Sequence, residues 1–193
     1  GHDGSAAVSF NEGYWWNPET EGWQPGPGLP AGRTQFGLTT HQDHIYVFGG
    51  LNYDPTRKQS AFDHVQTNLV AGGTGGGGFS DLGAPLPGPR RAFAGVTLGD
   101  EYFIVGGMRD DFKLVDDCLR YSFATKQYRP MPCPPKTRIS ARLVALENKI
   151  YAVGGNTRAS SGSLEPERSI EVFDPKTSEW SVLIGDVGFD THH

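Results

Sequence analysis

Three apolar runs, each closing on a pair of glycines, set the rhythm of the chain: His44-Ile45-Tyr46-Val47-Phe48-Gly49-Gly50, Glu101-Tyr102-Phe103-Ile104-Val105-Gly106-Gly107 and Lys149-Ile150-Tyr151-Ala152-Val153-Gly154-Gly155. Consecutive apolar residues bounded by turn-formers predict a strand buried on both faces between neighbouring sheets. The glycines predict a sharp turn and close packing where a Cβ would clash. A second pattern follows: an aromatic, a polar turn, then an aromatic. Phe173-Asp174-Pro175-Lys176-Thr177-Ser178-Glu179-Trp180 and Trp16-Asn17-Pro18-Glu19-Thr20-Glu21-Gly22-Trp23 match position by position. Tyr121 to Tyr128 is a degenerate version, and Phe79 takes the tryptophan position of the remaining repeat. Aromatic strands joined by Asx-Pro turn chemistry predict hairpins whose rings fill the space between sheets.

The first glycines of the pairs stand at 49, 106 and 154, a period of roughly 50 residues. Over nearly the whole chain these patterns resemble the kelch motif, and the resemblance implies four strands in each unit. Strand a is expected over 34–42, 92–100 and 139–148, strand b ends in each glycine pair, c precedes the hairpin turn and d follows it. The resemblance implies an all-β, kelch-type β-propeller of four-stranded antiparallel blades, a fold whose rings close with about four to eight blades. About three and a half blades are expected here, an incomplete ring. Residues 1–31 supply strands c and d of one blade, 32–88, 89–136 and 137–188 each supply a blade, and 189–193 start another. Gly1 falls where the second glycine of a pair belongs, and Asp190-Thr191-His192-His193 where a further strand a begins. Both ends thus predict additional chain.

Composition agrees with short strands and tight turns: 27 Gly, 14 Pro and 11% aromatic residues. No apolar stretch approaches the roughly 18 residues of a membrane-spanning helix, so no membrane insertion is expected. With 17 Lys+Arg against 22 Asp+Glu and a net charge of −5, the chain lacks the clustered cations of sequence-independent nucleic-acid binding. Cys118 and Cys133 are too few for a cysteine scaffold or a Cys-based metal site. They pair only if a hairpin brings them together.

Candidate chemistry is sparse. The run from Gly72 to Gly78 lacks the Lys-Ser/Thr ending of a phosphate-binding loop and reads as a long hairpin turn. His41 and His44 flank an expected a–b turn with no nearby third ligand, so neither a metal site nor a cofactor is expected. Asp110-Asp111 and Asp116-Asp117 read as solubilising pairs. No nucleophile elbow or Ser–His–Asp set can be assembled.

Position is more informative. Arg33, Arg90 and Arg138 each stand at the start of strand a, 16 residues before the first glycine of their repeat. The kelch resemblance implies a structural tie from such an arginine to neighbouring backbone. It also implies that the end formed by d–a and b–c loops binds partners. Strand alternation would return Gln35, Ala92, Ser140 and His192 to the arginine's side. The b–c loops contribute Asn52, Arg109, Asn156 and Arg158. Together with Arg91, the candidate binding residues are Arg33, Gln35, Asn52, Arg90, Arg91, Arg109, Arg138, Ser140, Asn156, Arg158 and His192.

Arginines and small polar groups at a rim suit an acidic protein or peptide partner, held by charge-assisted bonds. The expected function is a binding module with no catalysis of its own. Two alternatives stand beside it: a carbohydrate-active kelch protein, mutarotase-like or lectin-like, that takes a small sugar in the propeller's channel, and a structural propeller within a larger chain. Copper-radical oxidases also carry kelch repeats, but their Tyr, His and Cys set is not present here.

Overall fold

The computed structural model describes residues 9–52, 69–73, 78–109 and 112–188. All regular structure among them is β. The chain divides into two compact units, residues 1–89 and 90–193.

In the first unit β1 (Gly13–Asn17) and β2 (Gly22–Gly26) form a hairpin. β3 (Gly37–His41), β4 (His44–Phe48), β5 (Leu69–Gly73) and β6 (Ser80–Asp81) make an antiparallel four-stranded sheet in sequence order. In the second unit β7 (Ala94–Leu98), β8 (Glu101–Val105), β9 (Cys118–Ser122) and β10 (Gln127–Met131) repeat that meander. β11 (Arg142–Leu146) and β12 (Lys149–Val153) follow, then a small hairpin, β13 (Asn156–Arg158) with β14 (Leu164–Pro166). β15 (Ile170–Asp174) and β16 (Glu179–Ile184) complete the last sheet, order β11-β12-β15-β16. These are the four-stranded antiparallel blades of a kelch-type propeller.

The second unit's core lies between its two blades. Ala94, Phe103, Val105 and Cys118 of one sheet pack with Leu143, Ile150, Ala152 and Phe173 of the other. Phe103 and Phe173 meet with tilted rings, centroids 6.3 Å apart, and Trp180 donates its indole N–H to the Pro132 carbonyl at 2.8 Å. The aromatic hairpins take the expected register. Trp16 pairs with Trp23, Tyr121 with Tyr128, and Phe173 with Trp180, with ring centroids 5.6, 4.9 and 5.2 Å apart. Asn17 and Asp174 accept the backbone N–H two residues on, at 2.8 and 2.9 Å. The residue ending each turn adopts positive φ: Glu21, Lys126 and Ser178 at 49°, 55° and 58°.

Strand a is shorter than its sequence predicts, starting at Gly37, Ala94 and Arg142. The reason is local. Gln35, Ala92 and Ser140 sit at φ of 54°, 52° and 55°, a left-handed conformation that breaks a strand and its side-chain alternation. Before this break the chain makes an isolated antiparallel bridge to the residue following each glycine pair: Thr34 to Leu51, Arg91 to Met108, Ile139 to Asn156. All six glycines of the pairs have positive φ, from 53° to 108°. At Gly106, with φ of 64°, a Cβ would also overlap the backbone carbonyl of Arg138 on the neighbouring blade.

Gly72 and Gly73 belong to β5, opposite Ile45 and His44. The rest of the expected glycine-rich turn, 74–77, lies outside the described residues. Cys118 and Cys133 form a disulfide with Cα atoms 5.3 Å apart, the hairpin β9–β10 supplying the proximity.

Candidate functional site

The three strand-a arginines turn into their own blades. Arg33, Arg90 and Arg138 are 4%, 2% and 0% exposed. Each donates from Nη1 to the carbonyl of the first glycine of its repeat: Gly49 at 3.1 Å, Gly106 at 3.1 Å and Gly154 at 3.3 Å. A glycine turn leaves that carbonyl without a ladder partner, and a long planar donor from the adjoining strand entrance reaches it.

The remaining valences differ. Arg90 also binds the carbonyl and the carboxylate of Asp117, just ahead of β9. Arg138 meets Glu171 Oε2 at 2.6 Å and the Lys136 carbonyl at 3.4 Å. Arg33 Nε and Nη2 have no hydrogen-bond partner among the described residues. Burial lowers the pKa of all three guanidinium groups, opposed by Asp81, Asp117 and Glu171 respectively. They stay cationic nonetheless. These side chains are spent inside the blade.

Around Arg138 lies a buried polar cluster. Glu171 and Glu167 are 3% and 4% exposed. Burial pushes the Glu171 carboxyl above its ordinary value, more than Arg138 pulls it down. Burial acts the same way on Glu167, but hydrogen bonds from Lys136 and Ser169 outweigh it and hold that carboxyl below the ordinary value. Lys136 Nζ lies 3.0 Å from Glu167 Oε2.

The d–a and b–c segments meet at one end of the blade. Thr157, after the glycine pair, donates its hydroxyl to the Thr137 carbonyl at 2.9 Å, and Lys136 meets Glu167 there too. In the second unit the b–c segments of the two blades are also tied together. Arg158 Nη2 donates to the Phe112 carbonyl at 2.9 Å, and Nη1 to Gly162 at 2.5 Å. Phe112, Lys113, Leu114 and Arg158 line an open cavity of about 540 Å³. Arg91 is buried beneath, its guanidinium 5.5 Å from the Phe112 ring centre and 3.1 Å from Met108 Sδ.

Of the sequence candidates, Gln35 in the first unit and Ser140, Arg109 and Arg158 in the second are exposed, while Asn52 and Asn156 are half-buried beside the bridges of their own blades. Arg33, Arg90, Arg91 and Arg138 are buried. His192, like Asp110 and Asp111, lies outside the described residues. His41 and His44 face each other across the β3–β4 turn, at the far end of the sheet. Arg158, expected as a binding residue of a b–c loop, also holds two loops together. Sequence reasoning also passed over Phe112, an aromatic between charged residues in a b–c loop, and the Lys136–Glu167 pair, whose partners are 31 residues apart with no pattern linking them.

The family model for the kelch motif matches residues 137–183. Relatives include Kelch-like protein 36 of Mus musculus, 26% identical over 94% of this chain, and Kelch-like protein 25 of Xenopus tropicalis, 23% identical over 93%. Kelch-like protein 26 of Danio rerio is 34% identical over 45% of the chain. The chain spans 28% of the length of the first two relatives and 14% of the third. The repeated arginine-to-glycine tie, the aromatic hairpins and the motif match over residues 137–183 define one class of fold, and the chain carries kelch-type repeats folded as propeller blades.

Proposed function

We propose that the chain is a recognition module that binds a protein or peptide partner, acidic in character, at the blade ends carrying d–a and b–c loops, with no catalysis of its own. The observation that carries this reading is the division of labour among the cations. Arg90 and Arg138 close the blades, whereas Arg109, Lys113 and Arg158 are exposed on b–c loops anchored by backbone and side-chain bonds. Held loops lose little entropy on binding, and exposed cations favour an anionic partner. Gln35, Ser140, Asn52 and Asn156 add polar groups at the same ends of their blades, and His192 is retained as a contact by its register.

Cross-linking mass spectrometry on complexes captured from a lysate tests the reading. Cross-links are expected on Lys113, Lys136 and their neighbouring loops. Cross-links confined to Lys126, Lys149 and Lys176, on turns at the far ends of the sheets, would overturn it.

A further inference from the structure

Resting on that reading, the geometry points to a specific anchor within it: Phe112, Lys113, Leu114 and Arg158 form a subsite for an acidic peptide that carries an aliphatic side chain next to a carboxylate. The cavity they line, about 540 Å³, combines two apolar surfaces with two cations and, among the described residues, no carboxylate. Phe112 is 47% exposed and adopts φ of 58°, a conformation that a bulky side chain rarely takes. Four contacts hold it there. Its N–H donates to the Arg109 carbonyl at 3.3 Å, its carbonyl accepts from Arg158, the Arg109 N–H donates to Lys113 at 3.0 Å, and the ring lies over Arg91. The aromatic surface is therefore presented before any ligand arrives, and binding need not order it.

Chemistry selects the occupant. Phe112 and Leu114 offer contact to an aliphatic side chain, and Lys113 and Arg158 offer donors to a carboxylate. A sugar acid would bring hydroxyl protons that need acceptors. Lysine and arginine side chains have none, and neither do phenylalanine or leucine. An extended peptide alternating acidic and aliphatic residues satisfies both halves.

The test uses the full chain and fluorescein-labelled decapeptides read by anisotropy: alternating Glu-Leu, its Gln-Leu counterpart and its Glu-Ser counterpart, with sialyllactose as a competitor. Glu-Leu should bind saturably and each counterpart about tenfold more weakly. Phe112→Gly and Phe112→Asn both tolerate the left-handed backbone. Each should erase the preference for Leu over Ser while leaving that for Glu over Gln. Lys113→Gln should do the reverse. The thermal melt of each variant confirms that it is folded.

Absent saturable binding, discrimination unchanged in the variants, or displacement by sialyllactose would each overturn the subsite. If these fail while cross-links still map to the b–c loops, the subsite is wrong and the wider face stands. If the cross-links fall on the far ends, the wider reading fails with it.

Discussion

At the residue scale, one guanidinium bond repeated three times explains why glycine pairs recur at this spacing. The glycines let the backbone turn, the turn frees a carbonyl, and the arginine 16 residues earlier takes it. Gly106→Ala should cost roughly 3 kcal/mol, because strained φ and backbone overlap act together. Gly162→Ala, with φ of 87° but open space around it, should cost only about 1 kcal/mol. Urea denaturation of the two variants separates overlap from strain. Arg138→Met should cost about 3–5 kcal/mol, since it strands the Glu171 carboxylate in the interior. Adding Glu171→Leu should restore most of that, as two apolar side chains replace a buried ion pair. If the double variant is no better than the single one, the arginine's value lies in the Gly154 carbonyl instead.

At the scale of elements, β9–β10 and β15–β16 solve one packing problem differently. The first is cross-linked by Cys118–Cys133, whereas the second hydrogen-bonds Trp180 to the preceding blade. Reduction of the disulfide, which closes a loop of about 15 residues, should remove roughly 3 kcal/mol. The midpoint of urea unfolding with and without reductant measures this, and an unchanged midpoint would mean the thiols are already free.

The segment leading into β15 should add a pH dependence. Glu167 has a folded pKa below its ordinary value of 4.5. Its stabilisation is complete above that value and is lost as pH falls through the folded one. Glu171 is shifted upward and acts oppositely, its contribution present at low pH and lost as pH rises through its folded value. Lys136→Met removes the largest contribution holding Glu167 down, so the acid-side loss of thermal stability should shrink. A melting temperature that falls equally steeply below the ordinary glutamate value in both proteins would contradict that pairing.

Across the whole molecule, stability should be uneven. Ile104, Tyr121 and Ile150 in the second unit are fully buried. In the first unit's β1–β2 hairpin, Tyr14, Trp16 and Trp23 are 59%, 50% and 68% exposed. Backbone amides with few buried neighbours open at low free-energy cost. Hydrogen exchange should therefore be fast across residues 13–26 and slow across β8, β9 and β12. Equal protection would show that the hairpin's exposed face is covered in solution.

Much of this molecule is written as pattern. The apolar runs, the glycine pairs and the aromatic–turn–aromatic signature determine strands, hairpins and their register, because each is a local preference repeated at a fixed interval. The loop-bearing end was legible for the same reason, since loop residues follow directly from strand ends. The tie of each arginine to backbone was implied by the kelch resemblance, whereas its particular partners carried no local signal. Whether Arg90 faces solvent or Gly106 depends on a carbonyl in another strand and on Asp117, and residues distant in sequence carry no local signature of their contact. Gln35, Ala92 and Ser140 show the same limit. Their left-handed backbone is imposed by the bridge to the glycine pair, against the alternation that their sequence suggests. Phe112 became a candidate only when Arg158 and Arg91 were found on either side of it. Local chemistry decided the elements, and long-range packing decided which charges were buried and which were left exposed.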